Sequence, residues 1–294
     1  MATACAPAGE VRLAIEAMAT RFELVLAGSD PAWLRGAGEE ALAEIARLAH
    51  QLNFYCPASE VTWINACAAH GPVQVEPGLF DLLRRCRRLS EATDGAFDIT
   101  VGPLVRLWRQ AGRDGAVPDE RSLAAAREAA GYRHLELDAA ARTVRFRRPG
   151  MSIDLGAAGK GYAIDRAIEV LRGLGVERAL LHGGTSSVHA LGAPERGAWT
   201  IEWRPRAGQA RTFDLRDGAL SVSAGHGRVF DVDGRAYGHV VDPRTGWPTE
   251  TAVSAVVTGP RSCECDALST AALAGGGGLG ALRARFPGYE CALG

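Results

Sequence analysis

Apolar residues recur along the chain with two different periods, and these periods separate predicted strands from predicted helices. Alternating runs at 11–15 and 21–26 predict two strands around a turn at 17–20. A helix is expected next, because Asp30 can cap it and Pro31 suits its first position. The apolar residues at near-helical spacing in this segment are Leu34, Ala41, Leu42, Ile45, Leu48 and Leu52.

The rest of the chain continues the same two patterns. Further helices are expected at 78–92, 103–113, 120–130, 161–174 and 265–273, with a loop at 53–60. The expected strands are 135–137, 143–146, 151–155, 178–181, 188–191, 199–203, 212–215, 220–223, 238–241 and 252–257. Strands in runs with helices grouped between them favour an α+β fold, with antiparallel sheets and flanking helices. We expect a single domain over residues 10–294, preceded by a short disordered N-terminus at 1–9.

Bulk composition narrows the class of protein. Hydrophobic residues make up 47% of the 294 residues, which is ample for a packed core. The 33 basic and 34 acidic residues give a net charge of −1, so no global field attracts nucleic acid or an anionic membrane. The sequence has no apolar run of about 18 residues, so no transmembrane segment is predicted. With no signal peptide visible, we expect a cytoplasmic protein, and a periplasmic one only if a leader was removed.

Seven cysteines are present, an odd number without a regular framework, so a disulfide scaffold is not expected. Cys263 and Cys265 form a C-x-C pair. A zinc site would need a second pair at ligand spacing, and none is present. Small buried side chains are therefore the preferred interpretation of this pair, with metal or redox use as the alternative.

The segment I-D-L-G-A-A-G-K-G-Y at 153–162 predicts a strand, a turn of small residues and the start of a helix. Its Lys160 is the only lysine in the chain. Amide groups at a helix N-terminus favour anions, and a lysine there adds a positive charge. The spacing matches neither a Walker loop nor a dinucleotide fingerprint. The segment predicts a site for a phosphate-bearing ligand, with a tight strand-to-helix turn as the alternative.

A second segment, D-A-L-S-T at 266–270, has hard oxygen donors at helical spacing. Asp266 and Thr270 are four residues apart on the predicted helix, and Ser269 lies next to both. One carboxylate with hydroxyl groups suits Mg²⁺, which binds few protein ligands plus substrate phosphates. An aspartate at a helix N-cap, followed by hydroxyls bonded back to the helix, is the alternative.

Two further segments carry residues with possible chemistry. H-V-V-D-P-R-T-G at 239–246 predicts a strand end and a turn, where His239 could contact a phosphate or transfer a proton. A histidine bonded within the turn is the alternative. In D-G-A-F-D-I-T-V-G-P-L at 94–104, Phe97 could provide an apolar wall to a ring system and Asp98 a polar contact.

Together, these four segments resemble the FAD:protein FMN transferase family, the ApbE-type flavin transferases. The similarity runs from the segment A-M-A-T at 17–20 to Ala271, and the segments occur in the order typical of the family. The resemblance implies an α+β fold and Mg²⁺-dependent transfer of the FMN moiety of FAD to a threonine or serine hydroxyl of another protein, with release of AMP. That acceptor would be a redox or electron-transport protein. Hydrolysis of FAD to FMN and AMP, and flavin binding without catalysis, are the alternatives.

The resemblance also assigns roles to individual residues. The main-chain oxygen of Ala157 and the side chains of Asp266, Ser269 and Thr270 would bind Mg²⁺. His239 and Asp98 are the two candidates for a base. The residues expected to contact FAD are Met18, Tyr55, Ala96, Phe97, Asp98, Asp154, Lys160, His239 and Val241.

Three positions depart from the family pattern. Gly159 stands where alanine is usual before the lysine, which should matter little. The usual Gly-Gly-Asn/Asp-Ile becomes a segment with hydroxyl residues and two extra positions at 183–188, so local substrate contacts could differ. The usual Thr-Ser-Gly is Ser-Ala-Gly at 223–225.

Overall fold

The computed structural model describes residues 9–195, 197–206, 208–225, 229–232, 234–249, 253–275 and 278–294. The N-terminus expected to be disordered lies outside this range, apart from Gly9, which begins the first strand. Ala252, the first residue of the strand expected at 252–257, also lies outside it.

Antiparallel strands and helices make up the described chain. The strands are β1 (Gly9–Ala17), β2 (Thr20–Gly28), β3 (Val73–Gln74), β4 (Leu135–Asp138), β5 (Thr143–Phe146), β6 (Ala179–Gly183), β7 (Ser187–Leu191), β8 (Trp199–Trp203), β9 (Arg211–Leu215), β10 (Gly218–Ala224), β11 (Val229–Val232), β12 (Arg235–Gly238), β13 (Ser254–Gly259) and β14 (Glu290–Leu293). The helices are α1 (Pro31–Gln51), α2 (Glu60–Cys67), α3 (Pro77–Ala92), α4 (Gly102–Asp114), α5 (Glu120–Glu128), α6 (Gly159–Gly173), α7 (Ser262–Leu273) and α8 (Gly278–Arg285). Single 3₁₀ turns occur at Ile99–Val101 and Tyr132–His134.

Seven strands form one sheet in the order β1-β2-β6-β7-β10-β13-β14, and every neighbouring pair is antiparallel. Helices α1, α6 and α7 pack together beside this sheet. Because side chains alternate along a strand, successive residues of β7 have different neighbours. His189 contacts α7, whereas Val188 and Ala190 pack with the β8–β9 hairpin. The sheet is therefore covered on both faces, with α7 over its centre.

Smaller units complete the fold. Strands β3, β5 and β4 form a three-stranded sheet, and β11 and β12 form a separate hairpin. A second apolar cluster contains Leu104 and Trp108 of α4 together with Val232 and Val241. It joins α4 to the β11–β12 hairpin, so the segment that contains His239 rests on α4. Within the described residues, no helix combines the length and apolarity needed to cross a membrane.

Several predictions from the local pattern are confirmed. Asp30 caps α1, since its Oδ1 atom accepts hydrogen bonds from the amides of Ala32 (3.1 Å) and Trp33 (3.0 Å). The hairpin expected at 135–137 and 143–146 is present as β4 and β5. Cys263 and Cys265 are buried free cysteines, as the preferred interpretation of the pair expected.

The strand expected at 151–155 is wrong. Its backbone is not part of any sheet. Instead the side chain of Asn65 in α2 pairs with Ile153, accepting from its amide (2.7 Å) and donating to its carbonyl (2.9 Å). The amide of Asp154 donates to Ile99 (2.7 Å). A side-chain amide and a loop carbonyl thus take the hydrogen bonds that a neighbouring strand would make.

The strand expected at 238–241 is also displaced, because β12 ends at Gly238 and Val241 makes only an isolated bridge with Pro248. Two expected helices begin earlier than expected, α6 at Gly159 and α7 at Ser262. Helix α2 begins at Glu60, the last residue of the expected loop at 53–60, and was not anticipated. It is short, and the Ser59 hydroxyl caps it by accepting from the amide of Thr62 (3.0 Å).

Candidate functional site

The segments 153–162 and 266–270 meet where α6 begins. The Asp266 carboxylate accepts a hydrogen bond from the amide of Gly161 (2.7 Å) and another from the hydroxyl of Ser187 (2.5 Å). Lys160 donates to the same hydroxyl, and its Nζ lies 3.7 Å from Asp266 Oδ1. We call Lys160, Ser187 and Asp266 the carboxylate–lysine cluster. It places an ammonium group next to a carboxylate and a helix N-terminus, which is an environment suited to phosphate oxygens and a cation.

Glycines allow the close approach that this cluster needs. A Cβ atom on Gly161 would lie 2.3 Å from the carbonyl oxygen of Ser262, at the start of α7. A Cβ atom on Gly183 would lie 3.2 Å from the Lys160 stem and 2.8 Å from the Phe22 ring. The glycine after the lysine is therefore explained by the contact between α6 and α7.

Three hydroxyl groups lie beside Asp266. Those of Ser269 and Thr270 each donate to the Asp266 carbonyl at 3.0 Å. The hydroxyl oxygen of Ser223 lies 2.8 Å from that of Ser269 and 3.2 Å from that of Thr270. We call Ser223, Ser269 and Thr270 the hydroxyl cluster. The back-bonding expected for an ordinary helix is present, yet Asp266 caps α6 rather than its own helix.

The donor set fits a hard cation such as Mg²⁺. It consists of oxygen atoms, with one carboxylate and several hydroxyls whose lone pairs remain available while their hydrogens are donated. In the described part of the chain, no three His, Cys, Asp or Glu side chains are grouped so that they could hold a metal ion. The candidate donor set has a single carboxylate, and its other oxygens come from hydroxyl and carbonyl groups. Ala157, the expected main-chain donor, is partly buried two residues before α6.

Asp154 connects this region to the segment at 94–104, because its amide donates to Ile99. Burial raises the pKa of its carboxyl group. The amide of Gly156 (2.8 Å) and the charges of Arg109 and Arg106 act in the opposite direction. A half-buried carboxyl group with nearby guanidinium groups suits a polar contact with a ligand.

Tyr55 lies in the same neighbourhood and is 56% exposed. The guanidinium of Arg109 stands 4.2 Å from the centre of its ring. Arg106 lies 5.7 Å from the Phe54 ring and donates to the Ser152 hydroxyl (2.7 Å). Burial lowers the pKa of Arg106. Neither arginine is among the site residues expected from the sequence, although their three-residue spacing on α4 places both on one face of the helix.

Ala96, Phe97 and Asp98 are buried. The side chains of Ala96 and Phe97 pack in the main core, so a contact with a ligand would involve their backbone. Asp98 is 6% exposed and accepts from the amide (2.8 Å) and hydroxyl (2.7 Å) of Thr100 and from the amide of Tyr132 (2.7 Å). Burial raises the pKa of Asp98, and these three bonds oppose that shift. Both of its carboxylate oxygens are therefore already used within the fold.

His239 follows β12 and is half-buried. The preceding Gly238 packs against Gly225, whose carbonyl oxygen would lie 3.1 Å from a Cβ atom on Gly238. Gly225 is two residues from Ser223 of the hydroxyl cluster. The following turn is fixed by a bond from the Trp108 indole to the carbonyl of Gly246 (2.8 Å). Backbone contacts thus join the histidine segment to the strand that contains Ser223.

Val241 of the same segment is buried in the cluster around Trp108. Met18 occupies the two-residue turn between β1 and β2, where it and Ala19 have φ values of 50° and 58°. Positive φ at both positions is the geometry of a tight hairpin turn, and it is unusual without glycine. Thr20, the next residue, lies against Gly184. Met18 is thereby placed near the 183–188 segment, which contains Ser187.

These elements define an α+β protein in which a lysine and a carboxylate meet at the start of a helix, beside hydroxyl groups. The model of the ApbE family matches residues 18–292, and the chain belongs to the ApbE family. A protein of Treponema pallidum named FAD:protein FMN transferase is 33% identical over 274 residues, covering 85% of this chain and 75% of the relative. One of the same name from Klebsiella pneumoniae is 32% identical over 244 residues, covering 80% of this chain and 75% of the relative.

Solved structures show the same fold. The crystal structure of the ApbE protein of Thermotoga maritima superposes with a TM-score of 0.81 at 29% identity, covering 90% of this chain and 87% of that chain. The flavin transferase ApbE of Vibrio cholerae gives a TM-score of 0.83 over 98% of this chain and 94% of that chain; its 24% identity supports the fold alone. The prediction of an α+β fold with antiparallel sheets is confirmed.

Proposed function

We propose that this chain is a FAD:protein FMN transferase. It transfers the FMN moiety of FAD to a threonine or serine hydroxyl of an acceptor protein, and AMP leaves. The relatives of that name support the activity. The observation that carries the proposal for this chain is the carboxylate–lysine cluster, where Lys160 and Asp266 lie 3.7 Å apart at the start of α6.

Mg²⁺ would be held by the carbonyl of Ala157 and the side chains of Asp266, Ser269 and Thr270, with Ser223 as an added neighbour. When bound, it neutralises charge on the phosphate oxygens. The all-oxygen donor set supports this assignment.

The chain's own groups orient FAD. Phosphoryl transfer depends mainly on positioning and on stabilising charge at the phosphate oxygens. Lys160 would contact those oxygens, while Asp154 and Tyr55 would bind other parts of FAD. The remaining proposed contacts are Met18, the backbone at 96–98, His239 and Val241.

We assign the base to His239 rather than to Asp98. The base must accept a proton from the attacking hydroxyl. Both oxygens of Asp98 already accept hydrogen bonds from Thr100 and Tyr132, and the side chain is buried. His239 is half-buried, in a segment next to the strand of Ser223.

The proposal is tested by incubating the protein with FAD, MgCl₂ and an acceptor domain, followed by mass spectrometry of the acceptor. An adduct of FMN mass that requires Mg²⁺ is expected. Asp266→Asn should abolish it while retaining the shape of the side chain. Asp81→Ala, which removes an exposed carboxylate from α3, should leave transfer unchanged.

The same reaction mixture separates the alternatives. Free FMN and AMP without a labelled acceptor would identify a hydrolase and reject the transferase. Tight FAD binding with neither product would identify a flavin-binding protein. If the Asp266→Asn variant transfers FMN as well as the wild type does, the assignment of Asp266 as a metal ligand is rejected.

A further inference from the structure

Helices α6 and α7 begin without a capping side chain of their own. The N-cap positions, Ala158 and Arg261, make no side-chain cap bond. Each helix instead receives a carboxylate from the other. Asp165 of α6 accepts from the amides of Ser262 (2.7 Å) and Cys263 (3.0 Å) at the start of α7. Asp266 of α7 accepts from the amide of Gly161, in the first turn of α6.

This reciprocal capping is buried and permits little movement. Asp165 and Asp266 are 5% and 7% exposed. Between them, Gly161 contacts the backbone of Ser262 so closely that a Cβ atom would not fit. A shift of α7 along α6 would break bonds to both carboxylates at once. The two caps and the glycine contact therefore fix α7 against α6.

Two side chains of strand β7 contact these carboxylates. Ser187 donates to Asp266. Two residues later, on the same side of the strand, His189 lies 2.9 Å from the Ser262 hydroxyl and 3.5 Å from Asp165. The polar contacts thus continue from the start of α7 to the carboxylate–lysine cluster.

We propose that Asp165 is a positioning residue for the cation site. The inference rests on the proposed function. The carboxylate of Asp165 accepts hydrogen bonds from the amides of Ser262 and Cys263, which are not among the metal-binding residues assigned above. Asp165 therefore acts through the N-terminus of α7. Asp266 lies about one helical turn after Ser262 on α7. Ser269 and Thr270 of the hydroxyl cluster lie about two turns after Ser262. Mg²⁺ requires nearly ideal octahedral geometry, so a small displacement of α7 weakens its binding.

The test compares Asp165→Asn and Asp165→Ala with Asp119→Ala. Asp119 is a matched control, because it caps α5 by accepting from the amide of Ser122 (2.7 Å) and lies outside the site. Two quantities are measured. One is the MgCl₂ concentration that gives half-maximal FMN transfer. The other is the MgCl₂ concentration that gives half of the maximal rise in melting temperature without FAD.

We expect Asp165→Asn to raise both MgCl₂ concentrations about tenfold, as is typical when a residue that orients metal ligands is lost. The rate at saturating MgCl₂ should change less. Asp119→Ala should lower the melting temperature and leave both concentrations unchanged. If Asp165→Ala does not fold, Asp165→Asn alone decides the test, because it keeps the side-chain shape.

If a folded Asp165→Asn protein gives the same two half-maximal MgCl₂ concentrations as the wild type, the inference is overturned. Asp165 would then be a purely structural cap. Failure of the proposed function has a different signature. In that case the wild-type protein labels no acceptor. If it also melts at the same temperature with and without MgCl₂, the cation site and this inference are rejected together.

Discussion

At the scale of single residues, Gly159 and Gly161 lie two positions apart in the first turn of α6 but have different surroundings. A Cβ atom on Gly161 would overlap the backbone of Ser262, whereas the nearest atom to one on Gly159 would be the Leu52 side chain at 3.6 Å. We expect Gly161→Ala to lower the free energy of unfolding by about 1–3 kcal/mol, because α7 must move. Gly159→Ala should be neutral or stabilising by up to about 1 kcal/mol. Urea denaturation followed by circular dichroism measures both.

Equal effects of these two substitutions would contradict the packing of α6 on α7. The same pair also tests the departure from the family pattern, since alanine is the usual residue at position 159. An alanine there meets only ordinary van der Waals distances.

A second prediction at this scale distinguishes the role of Asp98 from that of His239. Asp98→Asn should lower the free energy of unfolding by about 1–3 kcal/mol, because a buried acceptor of three hydrogen bonds is altered. His239→Gln should suppress FMN transfer with a smaller loss of stability. Thermal melting and acceptor labelling are measured on both variants. A stable Asp98→Asn protein that is inactive would instead make Asp98 the base.

At the scale of elements, the extended segment before α6 depends on α2. The Asn65 side chain makes two hydrogen bonds to the backbone of Ile153, one residue before Asp154. We expect Asn65→Ala to cost about 2–3 kcal/mol in the free energy of unfolding, because two buried backbone groups lose their partners. It should also raise the KM for FAD. Trp63→Ala, at a 60% exposed position of the same helix, should change neither quantity appreciably.

The difference between α1 and this segment explains which elements the sequence could predict. Helix α1 is encoded locally, with Asp30, Pro31 and an apolar stripe within the same segment. The segment at 151–155 has the composition of a strand, but its partner is a side chain more than eighty positions earlier. Local patterns report extended backbone and do not identify which group takes its hydrogen bonds.

The residues of the candidate site could likewise be proposed from the sequence only where a segment contains its own local chemistry. The residues at 153–162 and 266–270 could be named because each segment has its own local chemistry. Asp165, Arg106 and Arg109 were missed because their roles arise only from contacts between helices or with distant rings. Ser187 lies in the segment that departs from the family pattern, and only the fold brings its hydroxyl to Asp266.

At the scale of the whole molecule, we expect residues 10–294 to unfold as one unit. The main apolar cluster extends from Val11 in β1 to Cys291 in β14. The second and third clusters contain Trp108 and Trp203 respectively. Tryptophan fluorescence and far-ultraviolet circular dichroism should therefore report coincident transitions in guanidinium chloride. Two separated transitions would divide the chain into independent folding units.

Lys160 is the only lysine among the 294 residues, and its amine lies within the carboxylate–lysine cluster. An amine-selective acylating reagent therefore has a single side-chain target in this protein, at the point where ligand phosphates are proposed to bind. The acylated fraction of one peptide, measured by mass spectrometry, would then report how far a bound nucleotide shields that amine. The unmodified chain thus contains its own chemical footprinting probe.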